Sequence, residues 1–179
     1  MSVVDYGLKQ NERFVKNINR DDLIKIPAPK IVIVTCMDPR LTLVLQALGL
    51  QPGDADIIRN AGSTIDEDSI RSLLVSTRVL GSKEILVVQH TGCGMLTFKD
   101  EELESKLESL TDAFPITPEK FYSFTDVEKE VVKAIQRIKS HPWISKEIPV
   151  RGVVYDVNTG KVTEVTASHL SHQLAPEIH

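Results

Sequence analysis

Three residues with metal-binding side chains, Cys36, His90 and Cys93, stand where apolar runs give way to turns. Cys36 directly follows Ile31-Val32-Ile33-Val34-Thr35, a β-branched run without polar alternation. Such a run reads as a central strand covered on both faces. Ile85-Leu86-Val87-Val88 is a second run of this kind, and His90 lies just past it, after Gln89. Both residues therefore fall at carboxyl ends of strands, where open α/β sheets place their ligands. If the two strands are parallel neighbours, Cys36 and His90 converge. Thr91-Gly92-Cys93-Gly94 then supplies a tight turn. Gly92 and Gly94 let the backbone fold back so that His90 and Cys93 can reach one ion.

Two thiolates and one imidazole suit Zn²⁺. Zinc prefers four ligands, and three convincing ones leave a place for solvent, the mark of a catalytic site. Two thiolates nearly neutralise the ion, so water there needs help to become hydroxide. Asp38 and Arg40 follow Cys36 by two and four residues, which in an extended segment places all three side chains on one face. Arg40 would keep Asp38 ionised through charge and a bidentate hydrogen bond. Ionised Asp38 could then accept a hydrogen bond from zinc-bound hydroxide and aim its lone pair. Alternatively, Asp38 swings inward as a fourth ligand and closes the site. Each residue alone has a plainer reading: a packed thiol, a core histidine, or a surface ion pair worth about 0–1 kcal/mol. Asn60, Ala61 and Gly62 read either as a simple turn or as backbone support near the metal pocket.

Strands alternating with helices must position these groups. The first twenty residues read as a polar helix with a modest apolar stripe that includes Leu8, Phe14, Val15 and Ile18, ended by Pro27 and Pro29. A short helical piece is predicted from Thr42 to Leu48, and a strand from Ala55 to Arg59. Asp66 and Asp68 are plausible caps for a helix to about Leu80, with Ile70, Leu73, Leu74, Thr77 and Leu80 on its core face and Gly81 at its end. Glu101 to Leu110 reads as a charged helix with a solvated face, and residues 111–121 as a loop. Thr125 and Glu128 are predicted to form a capping box for a helix through Lys139, with Val127, Val131, Ile135 and Ile138 inward. Gly152–Val157 and Lys161–Val165 flank Asn158-Thr159-Gly160 as a closing hairpin. The expected fold is α/β: a mainly parallel central sheet, helices on both faces and an antiparallel C-terminal edge strand.

The chain has 179 residues and a formal net charge of −4, with scattered Lys and Arg, so nucleic-acid binding has little support. No segment reaches the length of a membrane helix, and the N-terminus lacks the apolar core of a secretion signal. With only two cysteines, the expectation is a single cytoplasmic domain over residues 1–179 whose thiols bind metal. His141, His169, His172 and His179 lack ligand-like spacing, and Trp143 reads as an anchor at a helix end.

Taken together, Cys36-Met37-Asp38-Pro39-Arg40, Arg59-Asn60-Ala61-Gly62 and His90-Thr91-Gly92-Cys93-Gly94-Met95 resemble the β-class carbonic anhydrases in order and spacing. The resemblance runs from about residue 25 to residue 165 and is strongest to the short archaeal and mycobacterial-type members. It implies reversible hydration of carbon dioxide to bicarbonate and a proton. It also implies one zinc on Cys36, His90 and Cys93, with Asp38 and Arg40 as a dyad. Homodimers are implied, sometimes paired into tetramers, in which an N-terminal arm over residues 1–25 packs on the partner. The sequence departs from the plant-type pattern at Pro27, where a glutamine contacts substrate, near Asp56, where a phenylalanine lines the pocket, and at Pro39, where serine is common. Two other readings remain open at this level: a hydrolase of carbon disulfide or carbonyl sulfide on the same scaffold, and a non-enzymatic structural or sensing zinc protein.

Overall fold

The computed structural model describes residues 2–19, 31–51, 53–111, 113–114 and 118–166. Pro27, Pro29, His169, His172 and His179 lie outside them. Four buried or half-buried runs form parallel strands: β1 (Ile31–Cys36), β2 (Ala55–Asn60), β3 (Glu84–His90) and β4 (Val150–Tyr155). A short antiparallel strand, β5 (Val162–Glu164), closes the edge, giving the order β2-β1-β3-β4-β5. β1 and β3 are parallel neighbours, as the convergence of Cys36 and His90 requires. Both strands run one or two residues further than their apolar cores, so Cys36 and His90 are the last residues of their strands. The same alignment sets Cys36 opposite Asn60 on β2 and His90 opposite Tyr155 on β4.

The sheet separates two cores. On one face Ile33, Leu86, Val88 and Val153 pack with Leu41, Val44 and Phe124. On the other, Val32, Val34, Ile85 and Val87 pack with Leu73, Ala134 and Ile138. Leu41 and Val44 come from a 3₁₀ turn (Pro39–Leu43) running into a short helix, α2 (Val44–Ala47). Leu73 comes from α3 (Glu67–Val75), while Ala134 and Ile138 come from α5 (Val127–Ser140). The charged α4 (Asp100–Thr111) buries no residue, as its composition predicts. The amphipathic α1 (Val3–Asn17) is closed by a reciprocal Ser2–Asp5 capping box and also buries none.

Several local expectations are corrected. The cap of α5 is Asp126, whose side chain accepts from the Lys129 amide at 3.0 Å, not the Thr125–Glu128 pair. A carboxylate already in the cap position offers the acceptor that Thr125 would have provided one residue earlier. Asp66 alone caps α3, through the Ser69 amide, whereas Asp68 sits in the first turn and pairs with Arg71. The helix does not run unbroken to Leu80. It widens into a π turn over Ser76–Leu80, where the Gly81 and Ser82 amides both donate to the Ser76 carbonyl. That turn leaves Leu80 exposed instead of in the core. Trp143 is 70% exposed, its ring meeting the neighbouring His141 edge-on, and its backbone carbonyl makes the tie, accepting twice from Arg78.

Candidate metal centre

The carboxyl ends of β1 and β3 and the turn after β3 bring Cys36, His90 and Cys93 together. Their ligand atoms lie within 4.8 Å of one another, and all three residues are buried. The two sulfurs are 4.0 Å apart. Sulfurs bound at about 2.3 Å to a tetrahedral ion sit roughly 3.8 Å apart, so this spacing fits one ion between them. Gly92 makes the turn possible with φ +61, a left-handed conformation that costs a side-chain-bearing residue energy. Gly94 has no such need: its φ is not positive, and a Cβ there would meet nothing within 4 Å.

His90 supplies the sharpest test of metal fit. Its ring is fully buried, and Nε2 has no hydrogen-bond partner among the described residues. Nδ1 lies 3.0 Å from the Thr91 carbonyl oxygen. A carbonyl only accepts, so Nδ1 carries the proton and Nε2 presents its lone pair to the sulfurs. This is the backing that metal-bound histidines receive. The Thr91 backbone is fixed in turn, because its amide donates to Tyr155 and its hydroxyl oxygen accepts from the Val157 amide. A buried ring nitrogen left without a partner is costly unless something binds it. Between the sulfurs, the hydrogen bond with Cys93 draws the Cys36 thiol down against the opposing effect of burial. The same contact, with burial, pushes Cys93 up.

Asp38 and Arg40 are not arranged by an extended segment. Asp38 caps the 3₁₀ turn, accepting from the Arg40 amide at 2.9 Å, and Pro39 occupies the first position of that turn. Proline is pre-shaped for this position and has no amide to leave unpaired, which accounts for its presence between the two polar residues. Arg40 grips both oxygens of Asp38, Nε to Oδ1 at 2.9 Å and Nη2 to Oδ2 at 2.7 Å, and Nη2 also donates to the Gly92 carbonyl at 2.9 Å. These hydrogen bonds hold the Asp38 carboxyl far below the usual carboxylate range. Asp38 Oδ2 lies 4.0 Å from His90 Nε2, so the carboxylate faces the ligand cluster. A cleft of about 320 Å³ opens here, lined by the apolar Met37, Pro39, Ala61 and Met95 together with Asp38, Cys36 and Cys93. Asp56, by contrast, lies four positions before Asn60 on β2, pairs with Val32, and accepts from the Ser76 hydroxyl. It has no part in lining the cleft.

Asn60, Ala61 and Gly62 form a braced loop. The Asn60 side chain accepts from the Thr64 amide and donates to the Thr64 carbonyl and the Ser69 hydroxyl. The Gly62 amide donates to Cys36 Sγ at 3.4 Å. Two contributors escaped the sequence reading of the site. Arg59 donates to the Cys36 and Asp38 carbonyls at 3.0 and 2.7 Å, clamping the segment between the ligand and the carboxylate. Gln89, fully buried, donates to the Gly62 carbonyl. The available signal was Gln89 itself, a long polar side chain directly after four buried aliphatic residues.

The carbonic anhydrase family profile matches residues 31–162. Beta-carbonic anhydrase 1 of Mycobacterium tuberculosis is 40% identical over 167 residues, covering 93% of this chain and 99% of the relative. A carbon disulfide hydrolase of Acidianus is 37% identical over 155 residues, 74% of this chain and 76% of that protein. Among solved structures, a carbonic anhydrase from Streptococcus mutans superposes with a TM-score of 0.81 at 41% identity, covering 93% of this chain and 99% of the other. The profile match and the near full-length likeness to these relatives show that this chain belongs to the β-carbonic anhydrase family.

Proposed function

We propose that Cys36, His90 and Cys93 hold one Zn²⁺ and that the protein catalyses reversible hydration of carbon dioxide to bicarbonate and a proton. The observation that carries this reading is the buried, unpartnered Nε2 of His90 facing two sulfurs 4.0 Å apart. Zinc bound there would act as the Lewis acid that makes water nucleophilic near neutral pH. The protein's own groups do the rest. The Thr91 carbonyl keeps the proton on Nδ1. Arg40 keeps Asp38 ionised, and a carboxylate in that state is an acceptor only, suited to orient the attacking oxygen. Held by three hydrogen bonds from Arg40, one from its amide and two from its side chain, Asp38 faces the site without joining the three-residue cluster. Its inward swing to become a fourth ligand would require breaking that grip. Carbon dioxide has no net dipole, and the walls of Met37, Pro39, Ala61 and Met95 offer it an apolar seat.

A second substrate class is favoured by a specific likeness, since carbon disulfide hydrolases are among the relatives. Carbon disulfide and carbonyl sulfide are linear and apolar too. Stopped-flow hydration and sulfide-release assays on one zinc-loaded sample separate the readings. Carbon dioxide turnover without sulfide release is expected, and the reverse result would move the assignment to the hydrolases. A purely structural or sensing zinc protein has no need of an aimed acceptor such as Asp38, and it predicts no turnover of either substrate.

We also propose a homodimer, with tetramers as a further association. A 15-residue helix with no buried residue, such as α1, is marginal alone in water. Its exposed Val4, Leu8, Phe14 and Val15 need a surface to cover them. A groove of about 600 Å³ beside Leu74, Val79 and Trp143 is also uncovered by the described residues. Two buried free thiols suit the reducing cytosol, and no described helix is long and apolar enough to cross a membrane.

A further inference from the structure

We propose that Gln89 is a positioning residue for the metal centre: it holds Gly62 so that the Gly62 amide donates to the sulfur of Cys36, and thereby sets how much charge that sulfur gives to a bound metal. The proposal rests on the metal reading above. Gly62 and Ser63 are consecutive residues with positive φ, +74 and +53. Serine rarely adopts this conformation, so the loop must be held in it from outside. Two buried groups do so from β3. The Ser63 hydroxyl donates to the Val88 carbonyl at 2.9 Å, and Gln89 Nε2 donates to the Gly62 carbonyl. Gln89 is fully buried, and its Oε1 has no partner among the described residues. A buried amide with one end left unpaired is a poor choice for stability alone, which points to the work of its other end.

That work is geometric. With its carbonyl tied to β3, Gly62 presents its N–H to Cys36 Sγ at 3.4 Å. On the other side it is pressed by Met95 and Phe124, where a Cβ would come within 2.9 and 3.1 Å of their side chains. A hydrogen bond to a thiolate withdraws charge from the sulfur, so the metal it binds keeps more of its own positive character. A site with two thiolates and one neutral imidazole needs that correction more than one built from histidines.

The test uses the full-length protein loaded with cobalt, whose sulfur-to-metal charge-transfer band reports the sulfur's electron donation. Gln89→Met removes the donor while keeping length and apolar packing. This variant should shift the band to lower energy, because the sulfur then gives the metal more of its charge. Ser69→Ala, which removes a hydroxyl that donates to the Thr64 carbonyl in the same loop, should lower thermal stability and leave the band in place. A band at the wild-type energy in Gln89→Met would overturn the proposal. In the wild-type protein loaded with ¹¹³Cd, the Gly62 amide proton should show coupling to the metal through the sulfur. Its absence overturns the proposal without reliance on any variant. Failure of the wild-type protein to give a thiolate-to-cobalt band would instead overturn the metal reading itself.

Discussion

Both oxygens of Asp38 are engaged by Arg40, and one of them looks toward His90. If this carboxylate aims the nucleophile, Asp38→Asn should lower turnover on the order of 10²-fold or more while metal content stays unchanged. Stopped-flow rates with metal analysis on the same sample check both halves, and an unchanged rate would remove Asp38 from the mechanism. Arg40→Lys keeps the charge but not the planar fork that grips Oδ1 and Oδ2 together. It should therefore lower the rate as well, in spite of being nominally conservative. Wild-type activity in that variant would show that charge alone is what Asp38 requires. At this scale the sequence was informative about ligand types and blind to backbone partners. Cys36, His90 and Cys93 announce themselves by their donor chemistry. The Thr91 carbonyl and the Gly62 amide do not, because every residue carries such groups.

At the scale of elements, the loops that deliver these side chains are more tightly determined than the helices around them. Gly62→Ala would set a methyl 2.9 Å from Met95 Cγ in a left-handed backbone conformation. The expected cost is about 1–3 kcal/mol of stability, together with weaker metal retention; denaturant unfolding and chelator competition read the two effects separately. The loop before α5 is tied by Asp100, which accepts from the amides of Phe121, Tyr122 and Ser123. Burial pushes this carboxyl up, but the hydrogen bonds outweigh it and its folded value lies below the ordinary one. A depressed folded value contributes stability above the unfolded value of about 3.9, and that contribution fades as pH falls through the folded one. Asp100→Asn should therefore lower the melting temperature at neutral pH and narrow its gap to wild type in strong acid; a gap constant across pH would contradict this role. The strands were legible because β-branched runs such as 31–35 and 85–88 have one physical use, burial on both faces. The spacing of Asp38 and Arg40 was legible but its cause was misjudged, since a capped 3₁₀ turn brings them together, not a strand. The π turn at Ser76–Leu80 was hidden because the same apolar spacing suits an α-helix equally well.

For the whole molecule, α1 and the Trp143 groove leave apolar surface that no described residue covers. Deleting residues 1–19 should yield a smaller species in light scattering and a lower melting temperature that no longer rises with protein concentration. An unchanged oligomer would place the subunit interface elsewhere. The sheet brings the ends of β1 and β3 and the turn after β3 to one point, and everything proposed about activity depends on an ion held there. Carbon dioxide hydration followed by stopped flow, with zinc quantified in each sample across a chelation and reconstitution series, tests this most directly. Turnover should fall in proportion to zinc, vanish in the stripped protein and return when one zinc per chain is restored. Full turnover in protein verified to be free of metal would contradict the account.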